Sequence, residues 1–380
     1  MLAACSLAVC SCSKAQNDGT THNSSAEDEL LSLRGVARML ACLPIGEEQV
    51  SEVWNAVSSS SVNGYDEEYM MRDLIGSPGA GVGDSPAARA AARSSYGTPL
   101  RDLISDYLSS RFATRSGGSV DALLERLSSS GMQIYWPYSE DWDGRQRPLV
   151  TFDPGFGASS NFAYEIAWEN GSYRVLDSVY VDENVAASRP VWVINRNDDS
   201  SGTPLSLYTK GVLDFDDDPD VPEGRHNLFI KDFTMLRQFD SWFAGASEFF
   251  IQAGSVYADY ALTEVNPGSF SPEVTQLMVV VKRRQLGERV PFDALLLSGF
   301  PDALEQMALL ITESDGGTRT SWKCIAKVMV KSRSYGVDVE LPFQSNDDIV
   351  WRGPVNMDYL RSLGTEEGRF GDVRISFEVK

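Results

Sequence analysis

The amino-acid sequence predicts an α+β protein with a helical N-terminal part, a mixed β middle part and a C-terminal antiparallel β-sandwich. Three observations carry this. Between Leu33 and Leu127 apolar residues recur at helical spacing. At Gly131 the apolar period shortens towards that of a strand. From Asn227 to Lys380, eight strand-like runs follow one another with few helical patterns between them.

The chain opens with Met1 to Lys14, MLAACSLAVCSCSK, which holds three of the five cysteines. An export signal has a positive n-region, an apolar h-region and a small-residue cleavage site. The apolar and small residues are present, but no Lys or Arg precedes Lys14. Residues 1–12 therefore read as the remnant of a longer signal peptide. Their pattern resembles the lipobox of bacterial lipoproteins, in which small residues precede a Cys that becomes lipidated. Leu2-Ala3-Ala4-Cys5 leaves almost no h-region, and Leu7-Ala8-Val9-Cys10 has a bulky Val before the Cys. Val9-Cys10-Ser11-Cys12 has a small Ser there and a polar run behind it, so Cys12 is the expected lipidation site. The resemblance implies a bacterial outer-membrane protein held by acyl chains, on the cell surface or the periplasmic face. Several chains on one residue anchor stably, at about 0.8 kcal/mol per buried methylene. Residues 13–28 are rich in Ser, Thr and Asn without apolar periodicity, the composition of a flexible tether.

Residues 29–130 form the helical part. Leu33, Val36, Ala37 and Leu40 share one helical face before Pro44 and Gly46 stop the helix, and Val50, Val53, Trp54 and Val57 repeat the spacing. Tyr65 to Ile75 reads as a third, shorter helix, and Gly76 to Asp84 as a loop. Thr98 is the expected N-cap of a helix with Pro99 at its first position and Leu100, Leu103, Ile104, Tyr107, Leu108 and Phe112 on one face. Val120, Leu123, Leu124 and Leu127 mark the last helix. Residues 131–225 form the mixed β part. Its strands read as Met132 to Tyr138, Pro148 to Phe152, Phe162 to Trp168, Tyr173 to Val181 and Val191 to Asn195, with Asn170-Gly171 as a hairpin signal. The acidic run Leu213 to Arg225 leads into residues 226–380, the sandwich. There the strict alternation of Val373, Ile375, Phe377 and Val379 predicts one buried and one wet face.

The formal net charge of −21 excludes nucleic acid as a partner, because phosphate binding needs clustered Lys and Arg. Only two histidines occur, His22 in the tether and His226 in an expected loop, so a zinc site of several histidines cannot form within one chain. H-E-x-x-H, G-x-S-x-G and phosphate-loop motifs are absent from the sequence. Cys42 and Cys324 make no disulfide framework and read as buried small hydrophobes. Lys282-Arg283-Arg284 reads as a solvated strand end.

Carboxylates are the abundant reactive group. Asp214, Asp216, Asp218 and Asp220 crowd one run, and two further acidic loops hold Glu313 with Asp315 and Asp347 with Asp348. Calcium takes six to eight oxygens from such loops, so it is the candidate cofactor, shared between loops that meet at one end of the sandwich. Solvated loops on an acidic protein are the plainer reading of the same residues. A second cluster sets Glu140 and Asp141 among Tyr135, Trp136, Tyr138 and Trp142. Rings that stack on a pyranose beside acids that bond its hydroxyls would bind a glycan, although rings at strand spacing also serve packing. Two carboxylates at suitable separation would hydrolyse it. With no complete catalytic constellation, the expected function is a lipid-anchored extracytoplasmic binding or adhesion protein, its ligand a glycan or an envelope protein. A carboxylate-based glycan hydrolase and a structural subunit of an envelope complex are the alternatives.

Overall fold

A computed structural model describes residues 26–62, 64–76, 96–112, 120–155, 157–169, 172–173, 176–197, 224–258, 270–364 and 366–380. The helical stripes bury as their periodicity requires. After a short α1 (Ala26–Leu30), α2 (Leu33–Ala41) buries Val36, Ala37, Met39, Leu40 and Ala41. Its N-cap is Ser32, whose Oγ accepts from the Gly35 N–H at 3.0 Å. α3 (Glu47–Val62) buries Val50, Val53, Ala56 and Val57.

Tyr65 to Ile75 departs from the predicted helix. Glu68–Met70 is a strand, β1, and only Met71–Ile75 is helical, α4. The cause is tertiary: β1 pairs with β2 (Met132–Tyr135), Tyr69 opposite Ile134, a partnership invisible to local periodicity. α5 (Leu100–Phe112) begins two residues past Thr98, and its entry is satisfied from a neighbouring helix. The Leu100 N–H donates to Glu52 Oε2 at 2.8 Å, and the Gly97 and Thr98 N–H groups donate to Glu48. α6 (Val120–Ser128) completes the helices that precede β2.

β3 (Leu149–Phe152), β4 (Ser160–Glu165), β7 (Ser178–Asp182) and β8 (Val191–Arg196) join β1 and β2 in a six-stranded sheet of order β1-β2-β8-β3-β4-β7. β3 and β8 run parallel, and the other pairs are antiparallel. β5 (Trp168–Glu169) and β6 (Ser172–Tyr173) pair antiparallel on either side of the predicted Asn170-Gly171 turn. A short α7 (Glu183–Ala186) links β7 to β8. One face of the large sheet shares its core with the helices: Val53, Leu74, Ile104 and Leu127 pack with Ile134, Val150, Trp192 and Ile194. The opposite face presents Tyr135, Leu149, Val181, Val191 and Val193, covered by Trp242 and Phe243 from the C-terminal part.

That C-terminal part consists mainly of antiparallel strands: β9 (Arg225–Met235), β10 (Ser247–Ala258), β11 (Phe270–Val281), β12 (Val290–Pro301), β13 (Leu304–Glu313), β14 (Arg319–Val330), β15 (Arg333–Gln344) and β16 (Asp348–Asn356). Helix α8 (Met357–Leu363), β17 (Glu367–Phe370) and β18 (Val373–Val379) follow. The sheet β11-β10-β13-β14-β15, with β16 also on β13, and the sheet β12-β9-β18-β17 feed one apolar cluster. Ile230, Phe233, Ile375 and Phe377 of the smaller sheet meet Ile251, Leu309 and Ile311 of the larger in that cluster. The architecture is thus α+β with a β-rich C-terminal part.

β12 escapes the alternation rule for a visible reason. Its register against β9 shifts three times, and Asp293 sits at φ 55°, so inward and outward positions stop alternating. In β18 the predicted alternation breaks at Ser376, which is buried beside the inward Ile375 and Phe377. The register slips between Ser376 and Phe377, and the Arg289 Nη2–H donates to Ser376 Oγ at 2.9 Å. His226 lies at the start of β9, not in a loop, and pairs with Asp302. Cys42 and Cys324 are only partly buried, and Cys324 packs at the margin of the C-terminal core. At Gly254 a Cβ would stand 2.3 Å from Val339 Cγ1, so β10 needs glycine where β15 crosses its face.

Candidate functional site

The aromatic and acidic stretch after β2 divides into a buried and an open half. Tyr135 and Trp136 are each 1 % exposed, and this corrects their expected role as stacking rings. β2 is covered on both faces, so Tyr135 enters the core shared with Trp242 and Trp136 the core shared with the helices. Tyr138 adopts a left-handed φ of 59° and turns the chain into a single 3-10 turn, Ser139–Asp141. Trp142 then packs edge-on against Trp136, ring centroids 5.5 Å apart, and lies 6.0 Å from Trp54. Its Nε1–H donates to the Gln146 carbonyl at 3.0 Å, while Asp143 Oδ1 accepts from the Arg145 and Gln146 N–H groups. These bonds fix the loop and leave Trp142 half-buried. Tyr138, Asp141, Trp142, Asp143 and Gln146, with residues 186–190, line a shallow cleft of ≈ 70 Å³. Arg189 Nε is buried without a hydrogen-bond partner.

Glu140 is held away from that cleft. Its Oε1 meets Lys282 Nζ at 3.1 Å and Arg284 Nε at 3.0 Å. Burial alone would raise the Glu140 carboxyl, but hydrogen bonds from Glu67 and the backbone and the charge of Lys282 outweigh it and hold it at about 2. Glu67 is pushed the other way, by burial, by its hydrogen bond to Glu140 and by the charges of Asp66 and Glu140. Glu67 therefore keeps the proton of the pair, and Glu140 stays ionised. Arg283, 7 % exposed, bonds Glu183 Oε1 at 2.7 Å and donates to the Asp240 carbonyl at 3.0 Å. The basic triplet expected as a solvated strand end thus clamps the C-terminal part onto the six-stranded sheet.

No family model, curated protein or solved structure matches the chain.

A glycosidase needs a general acid raised above the ordinary carboxylate range, facing a second carboxylate across the cleft. Glu140 has its carboxyl lowered and engaged in ion pairs, and backbone N–H bonds from Gln146 and Arg145 lower Asp143. The cleft offers ring faces and hydrogen-bonding groups, and its Asp143 carboxyl is held low.

The other acidic groups do converge. Glu313 ends β13 opposite Asp348, the first residue of β16. The Asp315 N–H donates to Asp347 Oδ1 at 3.2 Å, tying the two predicted loops together. Two residues that the sequence did not single out complete the group: Asp240, between β9 and β10, and Glu248 on β10. Asp240, Glu248 and Glu313 can each direct one carboxylate oxygen to within 4.8 Å of the others. Burial and the neighbouring Asp240 push Glu313 far up. Burial and the charges of Asp240, Asp348 and Asp347 lift Asp315 to about 6. Cys12, Asp214, Asp216, Asp218 and Asp220 lie outside the described residues. Only strand pairing could have added Glu248 to the list, because it reaches Glu313 through the β10–β13 ladder, Phe249 opposite Glu313.

Proposed function

We propose that this protein is a lipid-anchored extracytoplasmic binding module that holds a glycan and performs no chemistry on it. The observation that carries the reading is the cleft beside Trp142. It combines a half-buried indole, the Tyr138 ring and exposed acid and amide groups, and backbone N–H bonds hold the Asp143 carboxyl low. Sugar recognition needs that mixture of ring face and hydroxyl-bonding groups. In this reading the two C-terminal sheets close as a β-sandwich on their common core, and acyl chains on Cys12 hold the protein at a bacterial outer membrane. No helix among the described residues is long and apolar enough to cross a membrane.

The cleft is tested by glycan-panel binding with the full chain, followed by calorimetry on the best binder. Trp142→Ala is expected to weaken that binding about tenfold, the effect of losing one stacking ring. Release of reducing sugar by the wild type would overturn the non-catalytic reading, and unchanged affinity in the variant would overturn the cleft. The anchor is tested separately: Cys12→Ala in the native gene product is expected to move the protein from the membrane fraction to the soluble one. Continued pelleting with membranes would remove Cys12 as the lipidation site.

A further inference from the structure

We propose that Asp240, Glu248 and Glu313 bind a divalent cation of the calcium class, which pins the segment between β9 and β10 to the strands beneath it. The site is independent of the glycan cleft and stands or falls without it.

The geometry fits one ion. Oxygens bound to the same calcium at 2.3–2.6 Å stand at most about 5 Å apart. The three carboxylates meet that limit, with oxygens all within 4.8 Å of one another. A further observation points to a missing ligand. Glu313 is 1 % exposed; its carboxyl shares a hydrogen bond with Asp240, and its Oε1 is buried without a hydrogen-bond partner. Ser247, also 1 % exposed, bonds the Asp240 carboxyl. A buried polar atom in the condition of Glu313 Oε1 costs free energy that a cation would recover.

Two guanidinium groups stand nearby: Arg237 pairs with Asp372 and Asp348, and Arg283, paired with Glu183, lends its charge to Asp240. The donor set is all oxygen, which favours a hard cation over zinc or copper. Burial of Glu248 and Glu313 leaves little room for the waters that magnesium retains, which favours calcium. Asp315 and Asp348 stand near enough for their charges to act on Glu313.

The segment held by the ion matters. It carries Trp242 and Phe243 into the core against Tyr135 and Val193. The Asn195 Nδ2–H₂ donates to the Phe243 carbonyl at 3.1 Å, and the Ala246 N–H donates to Asp66 Oδ2 at 3.1 Å. Fixing Asp240 would therefore stiffen the joint between the six-stranded sheet and the C-terminal strands.

The test uses the full chain, stripped with chelator and titrated with calcium by calorimetry and thermal melting, with magnesium as comparator. Saturable heat and a rise in Tm of about 3–8 °C are expected with calcium, and a smaller rise with magnesium. Asp240→Asn and Glu313→Gln should each abolish the calcium-dependent rise. A variant with Asp214, Asp216, Asp218 and Asp220 all changed to Asn should keep it. If Glu313→Gln fails to fold, Asp240→Asn carries the result, since its side chain is not fully buried. Absence of heat and of any Tm shift would overturn the proposal. So would a calcium effect that survives Asp240→Asn but is lost in the quadruple variant, which would assign the ion to the acidic run.

Discussion

Arg283→Ala is expected to lower the unfolding free energy by about 2–4 kcal/mol, read by urea denaturation of the full chain. The guanidinium joins two parts of the molecule. Its Nε meets Glu183 at 2.7 Å, and its Nη1–H donates to the Asp240 carbonyl at 3.0 Å. Removing one partner of a fully buried pair costs about 3–5 kcal/mol, because the remaining charge stays desolvated. Here the Arg283 side chain is 6 % exposed but that of Glu183 is 39 % exposed, so water can re-solvate the orphaned carboxylate and the cost falls below that range. Tyr138 also keeps its bond to Glu183 Oε1, at 3.0 Å. The part-buried Asp240 carbonyl also loses its donor, which keeps the cost above that of a surface pair. Arg283→Lys should recover only part of the loss, since a point ammonium cannot serve both acceptors in the geometry of the planar fork. A change under about 0.5 kcal/mol for Arg283→Ala would mean that the clamp adds no net stability.

How much of this was legible in the sequence depends on the range of the force involved. Helix faces such as Val36, Ala37 and Leu40, or Leu123, Leu124 and Leu127, are set by local periodicity, and they bury as read. Most strand runs were visible for the same reason. β1 was not, because Glu68–Met70 becomes a strand only by pairing with Met132–Tyr135. β12 was not, because its bulges scramble the alternation that a reader counts.

The sites follow the same division. The two loops with Glu313, Asp315, Asp347 and Asp348 announced themselves by composition, and β13–β16 pairing brings them together. Asp240 and Glu248 gave no local signal; they join only through the fold. The rings were misjudged where burial decides: Tyr135 and Trp136 carry the same residue-type signal as Trp142, yet β2 is covered on both faces. Lys282-Arg283-Arg284 likewise reads as surface charge until Glu140 and Glu183, from the other part of the molecule, are placed against it.

Glu52→Gln is expected to stabilise the protein at pH 8 by about 2–3 kcal/mol and to leave it nearly unchanged at pH 4. Glu52 is 3 % exposed on α3, where its Oε2 accepts the Leu100 N–H at the start of α5. Burial lifts its carboxyl from 4.5 to about 7; the Leu100 N–H opposes this, and the charges of Glu48 and Asp102 add to it. The folded chain therefore holds a proton that the unfolded chain has already released across that interval. Stability is full below pH 4.5 and falls as the pH rises to about 7, beyond which the folded state carries a buried charge. Glutamine keeps an oxygen for the Leu100 N–H and never ionises, so it removes the share of the fall that Glu52 causes. Glu140 works in the opposite sense: held at about 2, it contributes stability above pH 4.5 that is lost as the pH drops towards 2. The wild type should thus be most stable in mildly acidic solution, and Glu52→Gln should lessen the decline above it, leaving the shares of Asp315, Glu67 and Glu313. Urea titrations of both proteins at pH 4 and pH 8 decide it. An equal difference at the two values, or a less stable variant at pH 8, would show that Glu52 is ionised in the fold without penalty.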